Sequence, residues 1–335
     1  VQKPQQRATL ADVARLAGVS AKTVSRVYDG STNVSPGTRR RIEEAAARLS
    51  FRPNLLARDL RHGGVSSAVG FVLGDITNPF YFQVAAGMER ELAQHGLTMV
   101  LTATEDDPAE EERVAGTLLA QRVRALVLVP IAEDQSYLEG ERRLGTPVVT
   151  IDRPAHNLLA DSVVLDNREG TAEAVRALTR LGHRRIAFVC SPGGLYTHAE
   201  RLAGYRDALR EVGVTDPSPW ERLDDVGGRT TEAAVLDVLD QPDPPTAIVT
   251  GNNRASAALV RALGPARDDL AYVGFDDFDL ADALGFSVVA YDTRELGRAA
   301  ARRVLERLAD PQGAPVHVRI PTHLVPRGSG ERPPR

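Results

Sequence analysis

Over the first fifty residues, apolar positions recur at helical spacing in short segments divided by strong stop signals. Thr9 can cap a helix over residues 10–16, with Asp12 placed against the positive end of its dipole. Ala17-Gly18-Val19 reads as a tight turn in which Gly18 supplies the positive φ. Ser20 then caps a second helix that runs to Val27 and is broken by Asp29-Gly30. Ser35-Pro36 sets a cap and a proline at the start of a third helix. Its Ile42, Ala45, Ala46 and Leu49 fall at i, i+3, i+4 and i+7 and form one apolar stripe. On the second helix Val24 and Val27 are expected to face inward, leaving Ala21, Lys22, Ser25 and Arg26 outward. Two short helices across a three-residue turn, braced by a third, make a helix-turn-helix module. Residues 53–61 form a fourth helical segment, too short to be stable alone, with Leu56 and Leu60 one turn apart; His62-Gly63-Gly64 follows as a flexible exit.

From residue 67 onward the period changes. Short apolar runs at 68–73, 98–102, 125–129 and 148–151 alternate with amphipathic stretches at 80–95, 109–121 and 136–144. A second series opens with a run at 163–165 and a helix over 168–181. It continues with runs at 186–189, 247–250, 270–275 and 287–290, helices over 197–211, 229–239, 253–263 and 293–309, and a last run at 316–321. Repeated strand–helix units imply parallel sheets covered on both faces. Two sets of about five strands imply two doubly wound lobes, residues 65–164 with 293–321 and residues 165–292 with 322–330. Ligands would bind between them at the carboxyl ends of the strands. The fold class is therefore α/β: an all-α helix-turn-helix head over residues 8–52, a linker over 53–64, and a two-lobed, doubly wound parallel-sheet body over 65–330.

Composition sharpens this picture. The 335-residue chain has a formal net charge of -4. Residues 1–62 hold 12 Lys or Arg against 5 acids, a net of +7, so the remainder carries −11. A basic head on an acidic body points to a polyanionic partner for the head. No segment approaches the ~18 uninterrupted apolar residues of a membrane span, so no membrane partner is expected. The polar start, without an apolar core, gives no secretory signal. Cys190 is the only cysteine, which excludes disulfides within the chain and any cysteine-based zinc finger. A cytoplasmic protein is expected.

The string Thr9-Leu10-Ala11-Asp12-Val13-Ala14-Arg15-Leu16-Ala17-Gly18-Val19-Ser20, followed by Thr23-Val24-Ser25-Arg26-Val27, closely resembles the DNA-binding head of lactose-repressor-type (LacI family) regulators. Val34-Ser35-Pro36, Thr38-Arg39, Phe51-Arg52-Pro53-Asn54 and Ala57-Arg58-Asp59-Leu60-Arg61 continue the pattern. The resemblance implies that Ala21, Lys22 and Arg26 read bases in the major groove. It implies that Ser20, Thr23, Ser25, Asn33, Ser35 and Thr38 hold phosphates or brace the module; Thr9, Asn54 and Ala57 complete the DNA-binding set. It also makes residues 53–61 a hinge helix that folds on the operator, with Leu60 as a minor-groove wedge, an established way to unstack a base step. Phe51 stands where the family usually has tyrosine.

In the body, polar residues sit just beyond strands or early in helices: Asp75, Asn78-Pro79-Phe80, Asp152-Arg153, Arg201, Asn252 and Asp276. The alternation resembles the type I periplasmic-binding-protein fold of the family's effector domain. That resemblance implies effector hydrogen bonds from Asp152, Arg201, Asn252 and Asp276; Asp75, Phe80 and Phe82 join them in the candidate site. Carboxylates, an amide and a guanidinium offer donors and acceptors suited to a small hydroxyl-rich ligand. Three stretches depart from the family pattern: Asn252-Asn253-Arg254 replaces an Asn-Asp pair, Val226 stands where an aromatic is frequent, and Phe286-Ser287-Val288-Val289-Ala290-Tyr291-Asp292 replaces a Pro-Leu-Thr-Thr stretch with its following glutamine.

Enzyme motifs are not found: no Gly-x-Ser-x-Gly elbow, Walker loop or His-Glu-x-x-His, and Ser191-Pro192-Gly193-Gly194 lacks the lysine and spacing of a phosphate loop. Asp276-Asp277 has no nearby histidine to complete a metal site. No cofactor and no metal are expected. The sequence thus reads as a ligand-responsive transcription regulator, a repressor acting as a homodimer on a near-palindromic, double-stranded operator and controlled by a saccharide or polyol. The alternatives are a nucleoside or other metabolite as effector, and a solute-binding protein built on the same body.

Overall fold

A computed structural model describes residues 7–29, 33–52, 66–190, 195–223, 230–264 and 269–334. The chain divides into two compact units, Val1–Ser67 and Ala68–Arg335. The smaller holds α1 (Leu10–Ala17), α2 (Ala21–Tyr28) and α3 (Pro36–Arg48). Val13, Ala14, Ala17, Val24, Val27, Ile42, Ala45 and Ala46 are buried together at their centre. Tyr28 and Phe51 close that core with ring centroids 5.7 Å apart, so phenylalanine fills the aromatic position without a hydroxyl. Residues 53–61, the expected hinge with Asn54, Ala57 and Leu60, lie outside the described residues, as does Val226.

The larger unit contains two six-stranded sheets. The first runs β11 (His317–Ile320), β5 (Asp161–Leu165), β4 (Val148–Ile151), β3 (Ala125–Leu128), β1 (Ala68–Leu73), β2 (Thr98–Ala103). The second runs β12 (His323–Val325), β10 (Ser287–Ala290), β9 (Ala271–Phe275), β8 (Ala247–Thr250), β6 (Ile186–Val189), β7 (Glu221–Arg222). Every pairing is parallel except β10 with β12. The interior strands are buried on both faces and read as unbroken apolar runs.

One expectation changes. The run at 163–165, expected to open the second lobe, belongs to the first sheet, where β5 pairs with β4 and β11. After residue 321 the chain enters the second sheet, where β12 pairs with β10. Periodicity marks a strand but not its sheet, because pairing partners are chosen by the crossovers.

Each lobe is covered by helices: α4 (Pro79–Gln94), α5 (Pro108–Ala120) and the short α6 (Glu139–Arg143) in the first, and α7 (Asn167–Arg180), α8 (Tyr196–Glu211), α9 (Thr231–Leu239) and α10 (Asn253–Leu263) in the second. The last helix, α11 (Thr293–Ala309), leaves β10 of the second sheet and returns to the first lobe against α4. The helix pairs α4–α11 and α7–α8 approach to backbone contact. A Cβ on Gly87 would lie 2.1 Å from the Arg294 carbonyl oxygen, and one on Gly204 2.0 Å from that of Arg168. Gly87 and Gly204 occupy the ninth positions of α4 and α8, and Arg294 and Arg168 the second positions of α11 and α7. The two lobes thus repeat one packing solution.

In a free helix Gly→Ala is stabilising by about 0.5–1 kcal/mol. At Gly204 the clash dominates, and Gly204→Ala is expected to destabilise by roughly 1–3 kcal/mol in urea denaturation; a gain would show that the helices separate freely.

His183 supplies a pH-dependent test. Its buried ring donates from Nε2 to the Arg332 carbonyl and meets Thr246 Oγ1 at Nδ1, both at 2.8 Å. Burial holds its pKa below the usual 6.5, outweighing the bond to Arg332. The unfolded chain therefore binds a proton first as pH falls below 6.5, and the native state loses stability. Thermal melts across pH 7 to 5 should fall more steeply for the native chain than for His183→Gln; equal slopes would rule out a neutral buried His183.

Candidate functional site

In the head, hydroxyl residues fix the helix starts. Thr9 and Asp12 form a reciprocal capping box: the Thr9 amide donates to Asp12 Oδ2 at 2.9 Å, and the Asp12 amide to Thr9 Oγ1 at 3.3 Å. Gly18 ends α1 at φ 64°. The amide of Thr23 donates to Ser20 Oγ at 3.1 Å and that of Thr38 to Ser35 Oγ at 3.3 Å. Ser25 Oγ donates to Asp29 Oδ2 at 2.9 Å. Thr9, Ser20, Thr23, Ser25, Ser35 and Thr38 are thus all engaged in bracing the module. Val24 and Val27 are buried while Ala21, Lys22 and Arg26 are exposed on α2, as the apolar spacing requires. Asn33 is exposed in the connection before α3. The outward face of α2 is therefore short or cationic, dimensions that suit a helix entering the major groove.

In the body, a cleft opens at the carboxyl ends of the strands of both sheets. Its wall includes Asn78, Phe80, Tyr81, Asp106, Asp152 and Arg153 from the first lobe, and Thr197, His198, Arg201, Asn252, Asn253, Arg254 and Asp276 from the second, with Leu195 and Tyr291. Asp152 follows β4 and Asp276 follows β9, the corresponding strands of the two sheets. Both are left-handed, at φ 70° and 76°, and each amide donates to the next strand, to Val163 O and Val289 O. One strained turn, used twice, sets a carboxylate from each lobe at the cleft.

The second-lobe groups form one network. Arg201 Nε donates to Asn167 Oδ1 at 2.8 Å and Nη1 to Gly251 O at 2.6 Å, and the guanidinium carbon sits 3.7 Å from the centroid of the Phe275 ring. Asp276 Oδ2 accepts from the Asn253 amide at 3.1 Å and Oδ1 from the Tyr291 hydroxyl at 2.8 Å. Asn252 caps α10, its Oδ1 accepting from the Ala255 amide at 2.8 Å. On the first-lobe side, Arg153 Nη1 donates to Pro130 O at 3.0 Å. Its buried Nε lies 3.4 Å from Asp152 Oδ2 and makes no hydrogen bond among the described residues. Burial pushes the Asp152 carboxyl above its ordinary range against the pull of Arg153 and Arg201. Burial also raises Tyr291, and Asp276 beside it adds to the rise.

Of the seven expected effector residues, Phe80, Asp152, Arg201, Asn252 and Asp276 come together. Asp75 and Phe82 do not line the cleft. Asp75 is bound by Thr77, whose amide and hydroxyl each lie 2.7 Å from Oδ1, and by Arg254. Phe82 is 53% exposed, because two residues along α4 turn a side chain about 200° from Phe80. Tyr81, Asp106, Leu195, Thr197 and His198 line the cleft without any sequence signal that places them there. Arg153, Asn253, Arg254 and Tyr291 line it too, and the sequence marks them only as neighbours or departures from the family pattern. Adjacency to Asp152 and Asn252 was the only available signal for Arg153, Asn253 and Arg254. Asp277, the second acid of the Asp276-Asp277 pair, is taken by Arg327 at 2.7 Å. Among the described residues no cluster of His, Cys, Asp or Glu could hold a metal ion, and no helix is long and apolar enough to cross a membrane.

Residues 9–54 match the model of bacterial regulatory proteins, lacI family, and residues 66–327 that of periplasmic binding proteins and the sugar binding domain of the LacI family. The ribose operon repressor of Escherichia coli (strain K12) is 31% identical over 96% of this chain and 99% of its own. A solved complex of the transcriptional regulator CelR with cellobiose is 31% identical, with a TM-score of 0.70 over 96% of this chain and 100% of that one. The lac repressor dimer bound to operator and the anti-inducer ONPF gives a TM-score of 0.84 at 26% identity, covering 97% of this chain and 99% of that one. With a DNA-reading head joined to a two-lobed, polar-cleft body along its whole length, the chain belongs to the LacI family of bacterial transcription regulators.

Proposed function

We infer that this chain is an effector-responsive transcription regulator, a repressor that binds a near-palindromic operator as a homodimer and is switched by a small saccharide or polyol in the body cleft. The observation that carries the reading is the pairing, in one chain, of an exposed Lys22/Arg26 face on α2 with a cleft lined by opposed carboxylates and guanidiniums. A solute-binding protein would have the cleft and no use for the head. The family consists of regulators rather than enzymes, which agrees with a body that binds without turnover. Its place is the cytoplasm, on the nucleoid.

Within the head, Ala21, Lys22 and Arg26 are assigned to base edges. Thr9, Ser20, Thr23, Ser25, Asn33, Ser35 and Thr38 are assigned to the phosphate-facing frame, and Asn54, Ala57 and Leu60 to a hinge that enters the minor groove. Within the body, Phe80, Asp152, Arg201, Asn252 and Asp276 are assigned to the effector, and Arg153 joins them because its buried Nε has no acceptor among the described residues. A hydroxyl-rich ligand offers such acceptors at low charge. The ribose and cellobiose named for two relatives favour a saccharide over a nucleoside.

Lys22→Ala or Arg26→Ala should cost roughly 1–3 kcal/mol in operator binding and relax discrimination at particular base pairs. Competition binding against a base-substituted operator series measures it, and unchanged base preference in both variants would remove α2 as the reading helix.

A thermal-shift screen of sugars, polyols and nucleosides identifies the effector. Calorimetric titration of the hit should then show Arg153→Ala and Asp276→Ala weakened by roughly 1–3 kcal/mol, the cost of leaving a buried partner unsatisfied. Operator affinity of the ligand-free variants should stay near native. Native effector affinity in both variants would move the effector elsewhere.

A further inference from the structure

Side chains of the first turn of α10 bridge the two lobes at the mouth of the cleft. Arg254 ion-pairs with Asp75, which follows β1, and its Nη1 lies 3.7 Å from Asp106 Oδ2 beyond β2. Asn253 Nδ2 donates to Asn78 Oδ1 at 2.9 Å. Asn253 and Arg254 belong to the second lobe; Asp75, Asn78 and Asp106 belong to the first.

The first lobe is built to receive this cation. Thr77 fixes the Asp75 carboxylate from one side. Its hydrogen bonds and the charge of Arg254 overcome the upward push of burial, so Asp75 stays below its ordinary pKa. Asp106 is held by an unusual backbone: Glu105 and Asp106 are consecutive left-handed residues, at φ 54° and 58°, neither of them glycine. Its carboxylate lies so close over Gly74 that a Cβ there would meet Oδ1 at 2.2 Å. Strain of this kind persists where the surroundings demand a particular side-chain placement. Here it sets a second acid within reach of Arg254. The stretch Asn252-Asn253-Arg254 is also where this chain leaves the family's sequence pattern.

We propose that Arg254 is a positioning residue of the effector cleft. Through Asp75 and Asp106 it draws the lobes together before any effector arrives. It thereby holds the first-lobe half-site (Asp152, Arg153) in register with the second-lobe half-site (Arg201, Asn252, Asp276). Effector exchange then requires the clasp to open. Because Arg254 and Asp106 are partly exposed, salt loosens the clasp, and exchange quickens with ionic strength. The closure is independent of which effector binds; only its bearing on effector exchange rests on the function proposed above.

The test uses the full chain without effector. Nitroxide labels go on Gln83→Cys and Asp279→Cys, exposed positions of the first and second lobes; Cys190 is buried and stays unlabelled. Dilution with unlabelled protein leaves most dimers with one labelled chain, and pulsed electron resonance reads the distance between lobes. A single narrow distance is expected at low salt, broadened at high salt. Arg254→Gln and Arg254→Asp should lose the narrow population, Arg254→Lys should keep it, and Arg254→Asp combined with Asp75→Arg should restore it. Circular dichroism checks that each variant is folded, and the swap keeps the test valid if a single charge change unfolds the chain. A distribution unchanged in Arg254→Gln, or one already broad in the parent, overturns the proposal. If the distances behave as expected while no sugar, polyol or nucleoside raises the melting temperature, the clasp stands and the effector class falls.

Discussion

Parallel strand pairing governs this molecule. Neighbouring strands that run the same way need a crossover, and right-handed crossovers lay helices on both faces of each sheet. Strands so enclosed must be apolar on both sides, and the bottom-to-top direction of every strand sends its following loop to one edge. Asp152, Asn252 and Asp276 lie on those loops or at the helix starts they lead into. The cleft is therefore a consequence of strand direction: two sheets built alike present two rims of polar loops.

The chain uses the same local solutions in both lobes. Gly87 and Gly204 admit a helix backbone at equivalent positions, and Asp152 and Asp276 bend the chain at equivalent strand ends. What differs is the surroundings of the two carboxylates. Asp276 accepts hydrogen bonds from Asn253 and Tyr291. Asp152 is buried beside Arg153 with a 3.4 Å contact and a raised pKa. Charges withdrawn from water are tolerated only when paired. Among the described residues, Arg153 Nε is the one buried side-chain polar atom without a hydrogen-bond partner. On the effector reading proposed above, that donor is what the first-lobe wall offers a ligand.

The head follows a different economy. It is small, its core is mostly alanine and valine, and its stability leans on caps at Thr9, Ser20 and Ser35. Placing the hydroxyls at helix starts leaves the outward face of α2 for short and cationic side chains. The positive charge of the chain is thus gathered in the head, while the remainder is acidic.

The head was legible from sequence almost to the residue, because caps, a left-handed glycine and helical periodicity are local signals that need no partner. So were ten of the twelve described strands of the body, whose apolar runs mark them; β7 and β12, two and three residues long at the edges of the second sheet, carry no such run. Five of the seven expected effector residues meet in the cleft for the related reason that strand ends are recognisable one strand at a time. Tertiary structure decided what depends on long-range pairing. It assigned β5 to the first sheet, because apolar runs do not name their neighbours. It removed Phe82 by helical rotation and drew Asp75 out of the cleft wall to Arg254, 179 residues away in the chain. It also brought Arg153 and Tyr291 to the cleft wall, one beside Asp152 and the other bonded to Asp276, relations between side chains that periodicity along one chain does not encode.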